Sequence, residues 1–283
     1  MHTTLISATE LQQLLKTDAD VRVIDCSADL MDPTAGRRLY EQLHVAGSLH
    51  ADLDTDLSEK SHPASSGRHP LPAREVFAAT LQRLGVNNGS QVVVLDRAGI
   101  MFSGRLWWML KWCGHEAVAV LDGGLAAWQA AGGAVGSGPA PTVPAGDFRL
   151  GPTAATALTT DDVQALMGRP DRTLVDARAA ARFRGETEPL DPVAGHIPGA
   201  LNRPFGENLL PDGRFKPAEV LRAEFERLLA GRDPAGVVHQ CGSGVSAVPN
   251  LLAMELAGLG RAALYPGSWS AWCNTPGTAR AQG

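Results

Sequence analysis

The sequence predicts an α/β protein built from two copies of one fold, each a mainly parallel sheet with helices on both faces. Three observations lead there. The chain has 283 residues, which at roughly 100 to 200 residues per domain suggests two. Its halves repeat the same ordered segments. Within each half, short β-branched runs alternate with helical patterns, as βα units of a parallel sheet require.

The repeat opens with a capped helix. Ser7-Ala-Thr-Glu10, followed by Leu11, Leu14 and Leu15, has capping-box chemistry and helical apolar spacing, and Thr159-Thr-Asp-Asp162, followed by Val163, Leu166 and Met167, imitates it. A strand follows in each half, Val21–Asp25 and Arg172–Asp176, both closing on an aspartate. Then comes a turn: His44-Val-Ala-Gly47 starts 19 positions beyond Asp25, and His196-Ile-Pro-Gly199 starts 20 beyond Asp176. Recurring in a half without a nucleophile, these histidines read as structural.

The next pair is Gln91-Val-Val-Val-Leu-Asp96 and Gly236-Val-Val-His-Gln-Cys241, buried-looking strands that each lead into a loop and an apolar helix. Both halves close on tryptophan, at Trp128 and Trp272. Residues 132–152 between them are rich in Gly and Pro, with little to bury. The expected division is therefore a domain over 1–135, a linker over 136–152 and a second domain over 153–283.

Composition narrows the function classes. Hydrophobic residues make up 44% and charged residues 19%, which suits ordinary globular cores. A net charge of −5 gives no general attraction for nucleic acid or an anionic membrane, so a small anionic ligand needs a local positive site. No apolar run approaches the roughly 18 residues of a membrane span, and the first residues lack a basic region followed by an apolar core, pointing to the cytoplasm. The cysteines, Cys26, Cys113, Cys241 and Cys273, are widely separated, with neither disulfide-like density nor zinc-site spacing, so no metal and no cofactor are expected.

Cys241 carries the candidate chemistry. It follows a strand directly, and ligands of open α/β sheets bind beyond the carboxyl ends of strands. Gly242, Ser243, Gly244, Val245 and Ser246 come next, ahead of an apolar helix that tolerates Pro249 in its first turn. Two glycines let successive N–H groups turn inward into a nest, and the helix N-terminus adds to it, so the loop favours an anion at the sulfur. A buried structural thiol is the alternative, and it leaves the glycine-bearing loop unexplained. The other three cysteines read as structural; Cys113 ends an apolar helix ahead of Gly114.

These residues make the chain resemble tandem rhodanese-domain proteins, the thiosulfate and 3-mercaptopyruvate sulfurtransferases, along nearly its whole length. The matching segments are Val175-Asp-Ala-Arg178 with Arg182-Phe183, Gly195-His-Ile-Pro-Gly-Ala200, Cys241-Gly-Ser-Gly-Val-Ser246, Leu121-Asp-Gly-Gly124 and Tyr265-Pro-Gly-Ser-Trp269. The resemblance implies a catalytic second domain and a non-catalytic first domain, consistent with Asp96 at the cysteine position. It implies that Cys241 takes a sulfur from a small anionic donor as a persulfide and passes it to a thiol, such as thioredoxin or a small thiol, or to cyanide. Arg182 matches the family's principal donor-binding arginine, and Arg178 is a second candidate, with a structural ion pair as its alternative. A serine, histidine and aspartate relay discussed for mercaptopyruvate enzymes finds its nearest matches in Ser243, His69 and Asp54. The small, uncharged loop leans toward 3-mercaptopyruvate as donor, whereas Asp191, standing where such enzymes tend to carry a second arginine, counts against it.

Two other functions fit the nucleophile. A cysteine phosphatase needs an arginine after five intervening residues, where this chain has Ala247. A non-enzymatic persulfide carrier or binding module would keep the cysteine without a donor site.

Overall fold

The computed structural model describes residues 1–17 and 19–283, and the chain divides into two compact units. The first comprises Met1–Ser58, Pro72–Ala155 and Pro211–Arg214; the second comprises Glu59–Leu71, Thr156–Leu210 and Phe215–Gly283.

The first unit is built on a five-stranded parallel sheet. In chain order its elements are β1 (Leu5–Ile6), α1 (Ala8–Leu14), β2 (Val21–Asp25), α2 (Ala35–Gln42), β3 (His44–Val45), β4 (Leu49–His50), α3 (Arg74–Arg83), β5 (Gln91–Leu95), α4 (Met101–Trp112), β6 (Val118–Leu121), α5 (Gly124–Ala130) and β7 (Val135–Gly136). The sheet order is β1-β6-β5-β2-β4, and β3 pairs antiparallel with β7. The alternation of strand residues decides the faces. Val23, Val93, Leu95 and Ala119 pack with Leu11, Leu125 and Trp128 of α1 and α5, while α4 lies against β5 and β6.

The second unit repeats the plan with α6 (Thr160–Leu166), β8 (Thr173–Asp176), α7 (Ala180–Phe183), β9 (Leu201–Asn202), α8 (Ala218–Leu229), β10 (Val237–Gln240), α9 (Val248–Leu256), β11 (Ala263–Leu264) and α10 (Ser268–Asn274). Its order, β11-β10-β8-β9, matches β6-β5-β2-β4 strand for strand, and Ala157 bridges Leu264 where β1 pairs with β6. The antiparallel closure is repeated too, as a bridge between His196 and Ala281.

Local chemistry behaves as the sequence predicts. Ser7 with Glu10 and Thr159 with Asp162 both form capping boxes. The two turn histidines do the same structural work: His44 Nδ1 bonds Tyr40 O at 2.8 Å and stacks on the Tyr40 ring, and His196 Nδ1 bonds Phe183 O at 2.8 Å and stacks on the Phe183 ring.

The domain boundaries depart from expectation in two places. The stretch expected as a linker is strapped to the first unit: Gly146 N–H donates to Gln82 O, Phe148 N–H to Val86 O and Gly151 N–H to Cys113 O, and Phe148 is buried. A Gly/Pro-rich segment thus satisfies its backbone against a neighbour instead of remaining a free spacer. Conversely, residues 59–71, from the first half of the sequence, belong to the second unit, where Glu59 N–H donates to Pro70 O and Arg68 N–H to Ser270 Oγ.

Candidate active site

Cys241 sits at the carboxyl end of β10, the central strand paired with both β8 and β11. It is 1% exposed, at the base of the loop that leads into α9, whose first turn accommodates Pro249. Two ties hold the loop to the α10 segment: Trp269 N–H donates to Cys241 O at 3.0 Å and Ser270 N–H to Gly242 O at 2.9 Å. Gly244 adopts φ +73°, and a Cβ there would stand 2.3 Å from Pro266 O, so the turn admits only glycine.

The first unit displays what this loop geometry binds. Asp96, at the equivalent position, directs its carboxylate into its own loop. Oδ1 accepts from the N–H groups of Ala98 at 2.8 Å and Ile100 at 3.0 Å, while Oδ2 accepts from those of Phe102 at 2.9 Å and Ser103 at 2.8 Å, and from Ser103 Oγ at 3.0 Å. By the repeat, the corresponding residues around Cys241 are Ser243, Val245, Ala247 and Val248. Among the described residues, the N–H groups of Ser243, Val245 and Ala247 donate to no protein acceptor. In the first unit the loop is an anion nest closed on a carboxylate; in the second it surrounds Cys241, whose Sγ has Ser268 Oγ at 4.0 Å.

Ser268 was missed by sequence reasoning. Its hydroxyl accepts from Cys241 N–H at 3.1 Å, donates to Tyr265 O at 2.9 Å and lies 4.0 Å from Cys241 Sγ. Its φ is +54°, in the left-handed region, where the first unit has Gly124 at +56°. Holding a serine there costs about 1–2 kcal/mol. The visible signal was a serine standing where the repeat has a glycine.

The arginines separate by burial. Arg178 is committed to an internal ion pair: its guanidinium donates to both carboxylate oxygens of Asp176 and to Gly195 O, its side chain is 1% exposed, and it stacks over Trp269. The first unit satisfies the same aspartate differently. Arg97, from the loop after β5, reaches Asp25 and Leu43 O, the equivalents of Asp176 and Gly195 O, while Ser27 occupies the Arg178 position. The structural alternative for Arg178 is the one its geometry matches, and direct contact with a donor is not.

Arg182, 19% exposed, lies at the surface of the site. It donates to Glu188 Oε1 at 2.6 Å and lies 3.5 Å from Asp191 Oδ2. Arg68, a second residue missed in the sequence, pairs with Asp191 on its other side. A Cβ placed on Gly242 would stand 2.9 Å from Arg68 Nη2 and 3.4 Å from Arg182 Nη1, so both guanidinium groups converge beside Gly242, the neighbour of Cys241. Sequence reasoning assigned Arg68 to the other domain because of its place in the chain.

His69 and Ser243 do meet, with Nδ1 to Oγ at 2.8 Å and both residues buried. Asp54 falls in the first unit, where its N–H donates to Asp52 Oδ1. The remaining cysteines are buried thiols. Burial pushes those of Cys26 and Cys113 above the ordinary value, and that of Cys273 up to about 11.

These features define a class: a tandem α/β protein with one cysteine-bearing and one aspartate-bearing copy of the same strand-end loop. The Rhodanese-like domain model matches residues 7–131 and 159–275, and the chain belongs to that family. It is 46% identical to a probable 3-mercaptopyruvate sulfurtransferase of Pseudomonas aeruginosa, over 96% of this chain and 95% of that one. It is 40% identical to a putative thiosulfate sulfurtransferase, SseB, of Mycobacterium tuberculosis, over 96% and 94%. The crystal structure of SseA from Escherichia coli, described among 3-mercaptopyruvate sulfotransferases, superposes with a TM-score of 0.81 at 31% identity, covering 95% of this chain and 99% of that one. Among the described residues, no helix is long and apolar enough to cross a membrane.

Proposed function

We propose that the chain is a sulfurtransferase that moves a sulfane sulfur from 3-mercaptopyruvate or thiosulfate to a thiol or cyanide through a persulfide on Cys241. The observation that carries this is Asp96. A carboxylate oxygen and the outer sulfur of a cysteine persulfide both sit two bonds beyond Cβ, so the nest that holds the Asp96 carboxylate with five donors is dimensioned for a Cys241 persulfide anion. The names of the relatives support both donors, and membership of the family supports the class of reaction.

With 3-mercaptopyruvate, the Cys241 thiolate attacks the donor sulfur. An S–S bond forms, the C–S bond breaks, and its electron pair leaves as the pyruvate enolate, which a proton converts to pyruvate. With thiosulfate, the leaving group is sulfite and no proton is needed. The N–H groups of the loop hold the charge on the enzyme sulfur before and after transfer. A thiolate acceptor or cyanide then attacks the outer sulfur and regenerates Cys241.

Arg182 receives the donor's anionic group, and Arg178 keeps the strand end and the Gly195 turn in place through Asp176. Ser243, backed by His69, is the proton source for the enolate; Asp54, the third candidate, belongs to the first unit. A small thiol or thioredoxin is the proposed acceptor, in a reducing cytoplasm with which four free, buried cysteines are compatible. The phosphatase alternative lacks its arginine, since Ala247 occupies that position, and Arg182 beside the loop argues against a mere carrier.

The test is the intact mass of the protein after brief incubation with each donor, alongside Cys241→Ser. Gain of one sulfur atom, removable by a thiol and absent from the variant, is expected. No gain with either donor overturns the assignment and leaves the carrier alternative.

A further inference from the structure

We infer that Arg68 and Arg182 together form the donor's anion clamp, and that Asp191 tunes this clamp for a monoanionic carboxylate over a dianion. The inference rests on the sulfurtransferase reading and deepens it.

Three observations carry it. First, the two guanidinium groups approach the nucleophile from separate segments: Arg68 Nη2 lies 2.9 Å, and Arg182 Nη1 and Nη2 lie 3.4 and 3.6 Å, from the point where a Gly242 Cβ would stand. Any side chain at Gly242 would invade the space both cations share. Second, they are the exposed cations of the cluster, with side chains 25% and 19% accessible against 1% for Arg178. Third, Arg68 is held by a built support. Its N–H donates to Ser270 Oγ at 3.1 Å, its carbonyl accepts from Lys60 Nζ at 3.0 Å, and its Nη1 pairs with Asp191, a carboxylate only 2% exposed.

Asp191 lies between the clamp members, pairing with Arg68 on Oδ1 and standing 3.5 Å from Arg182 on Oδ2. Glu188, also buried, pairs with Arg182 and Arg178, and Asp176 pairs with Arg178. Three arginines therefore face three carboxylates, and the cluster is formally neutral. In this neutral frame Glu188 holds Arg182 Nε and Nη2 and Asp191 holds Arg68 Nη1, which turns Arg68 Nη2 and Arg182 Nη1 toward Gly242, an arrangement that suits a carboxylate accepting from both guanidinium groups. It gives less to a dianion such as thiosulfate, whose second charge meets no uncompensated cation. The second arginine thus comes from residues 59–71, and the aspartate that replaces an arginine at position 191 serves as its anchor.

Steady-state kinetics with both donors test this in wild type, Arg68→Met, Arg68→Lys and Asp191→Asn, with intact mass confirming sulfur uptake. Arg68→Met should raise KM for 3-mercaptopyruvate about 10- to 100-fold with kcat within about threefold, the loss of one charge-assisted contact to a bound ligand. Arg68→Lys should recover part of that loss, because it restores charge without the fork. Asp191→Asn should move the kcat/KM ratio toward thiosulfate by about tenfold, having uncovered one positive charge. An unchanged KM for 3-mercaptopyruvate in Arg68→Met, in a wild-type background that takes up sulfur, overturns the clamp alone. A wild type inert to both donors overturns the clamp together with the sulfurtransferase reading. If Arg68→Met does not fold, the Arg68→Lys KM and the Asp191→Asn ratio decide, and no change in both overturns the clamp.

Discussion

Replacing Asp96 by Asn keeps the shape of the first unit's nest and removes its anion. The carboxylate accepts from four backbone N–H groups and one hydroxyl, two N–H groups on each oxygen. Whichever way the Asn amide turns, its NH2 faces two of these N–H donors, while Ser103 Oγ can reorient. Each buried donor left without an acceptor costs about 1–3 kcal/mol, giving about 2–6 kcal/mol for the pair. At a typical urea slope of about 2 kcal/mol per molar, the unfolding midpoint of the first unit should fall by about 1 M or more. Urea unfolding followed by tryptophan fluorescence reads this directly, since Trp107, Trp108, Trp112 and Trp128 all lie in that unit. A midpoint within about 0.2 M of wild type would show that the nest does not require an anion, and the same loop could not then be invoked to hold a persulfide.

Three further outcomes follow from the site and the core. Ser243→Ala should lower kcat with 3-mercaptopyruvate by about 100-fold and with thiosulfate by only a few-fold, because only the enolate needs a proton; equal losses with both donors would refute the relay. Gly244→Ala should abolish persulfide formation, seen as absence of the added sulfur by mass, since its Cβ would meet Pro266 O at 2.3 Å with φ at +73°. His239 Nε2 lies 3.1 Å from Met254 Sδ, and burial pushes the imidazole down to about 3 from an ordinary 6.5. The unfolded chain therefore binds a proton that the folded chain refuses, and stability is lost as pH falls below about 6.5, by about 2 kcal/mol at pH 5. His239→Leu should flatten that pH dependence between pH 8 and 5 in urea unfolding, and an unchanged slope would refute it.

The duplication, the mainly parallel βα plan, the capping boxes at Ser7 and Thr159, and the place of Cys241 directly after a strand were legible in the sequence. Each is written in local pattern: a period, a cap or a glycine spacing acts over a few residues wherever the segment ends up. Recognition of Arg182 and of the His69 and Ser243 candidates drew on motif resemblance, and the structure brings the latter two within 2.8 Å.

What only the tertiary structure decided concerns partners far apart in the chain. Residues 59–71 join the second unit although the sequence places them in the first half, so Arg68 reaches Gly242 across a separation no periodicity records. Arg178 and Arg182 are four positions apart and similar as residues, yet one is buried on Asp176 and the other stands beside Gly242. The expected linker satisfies its backbone on the first unit, and Ser268 takes a left-handed conformation that places its hydroxyl against Cys241. Local sequence determines which elements form because their hydrogen bonds and caps close over short spans. Which charges meet, and which of them remain open to a ligand, is set by burial and ion pairing between distant segments, and those exist only once the chain has packed.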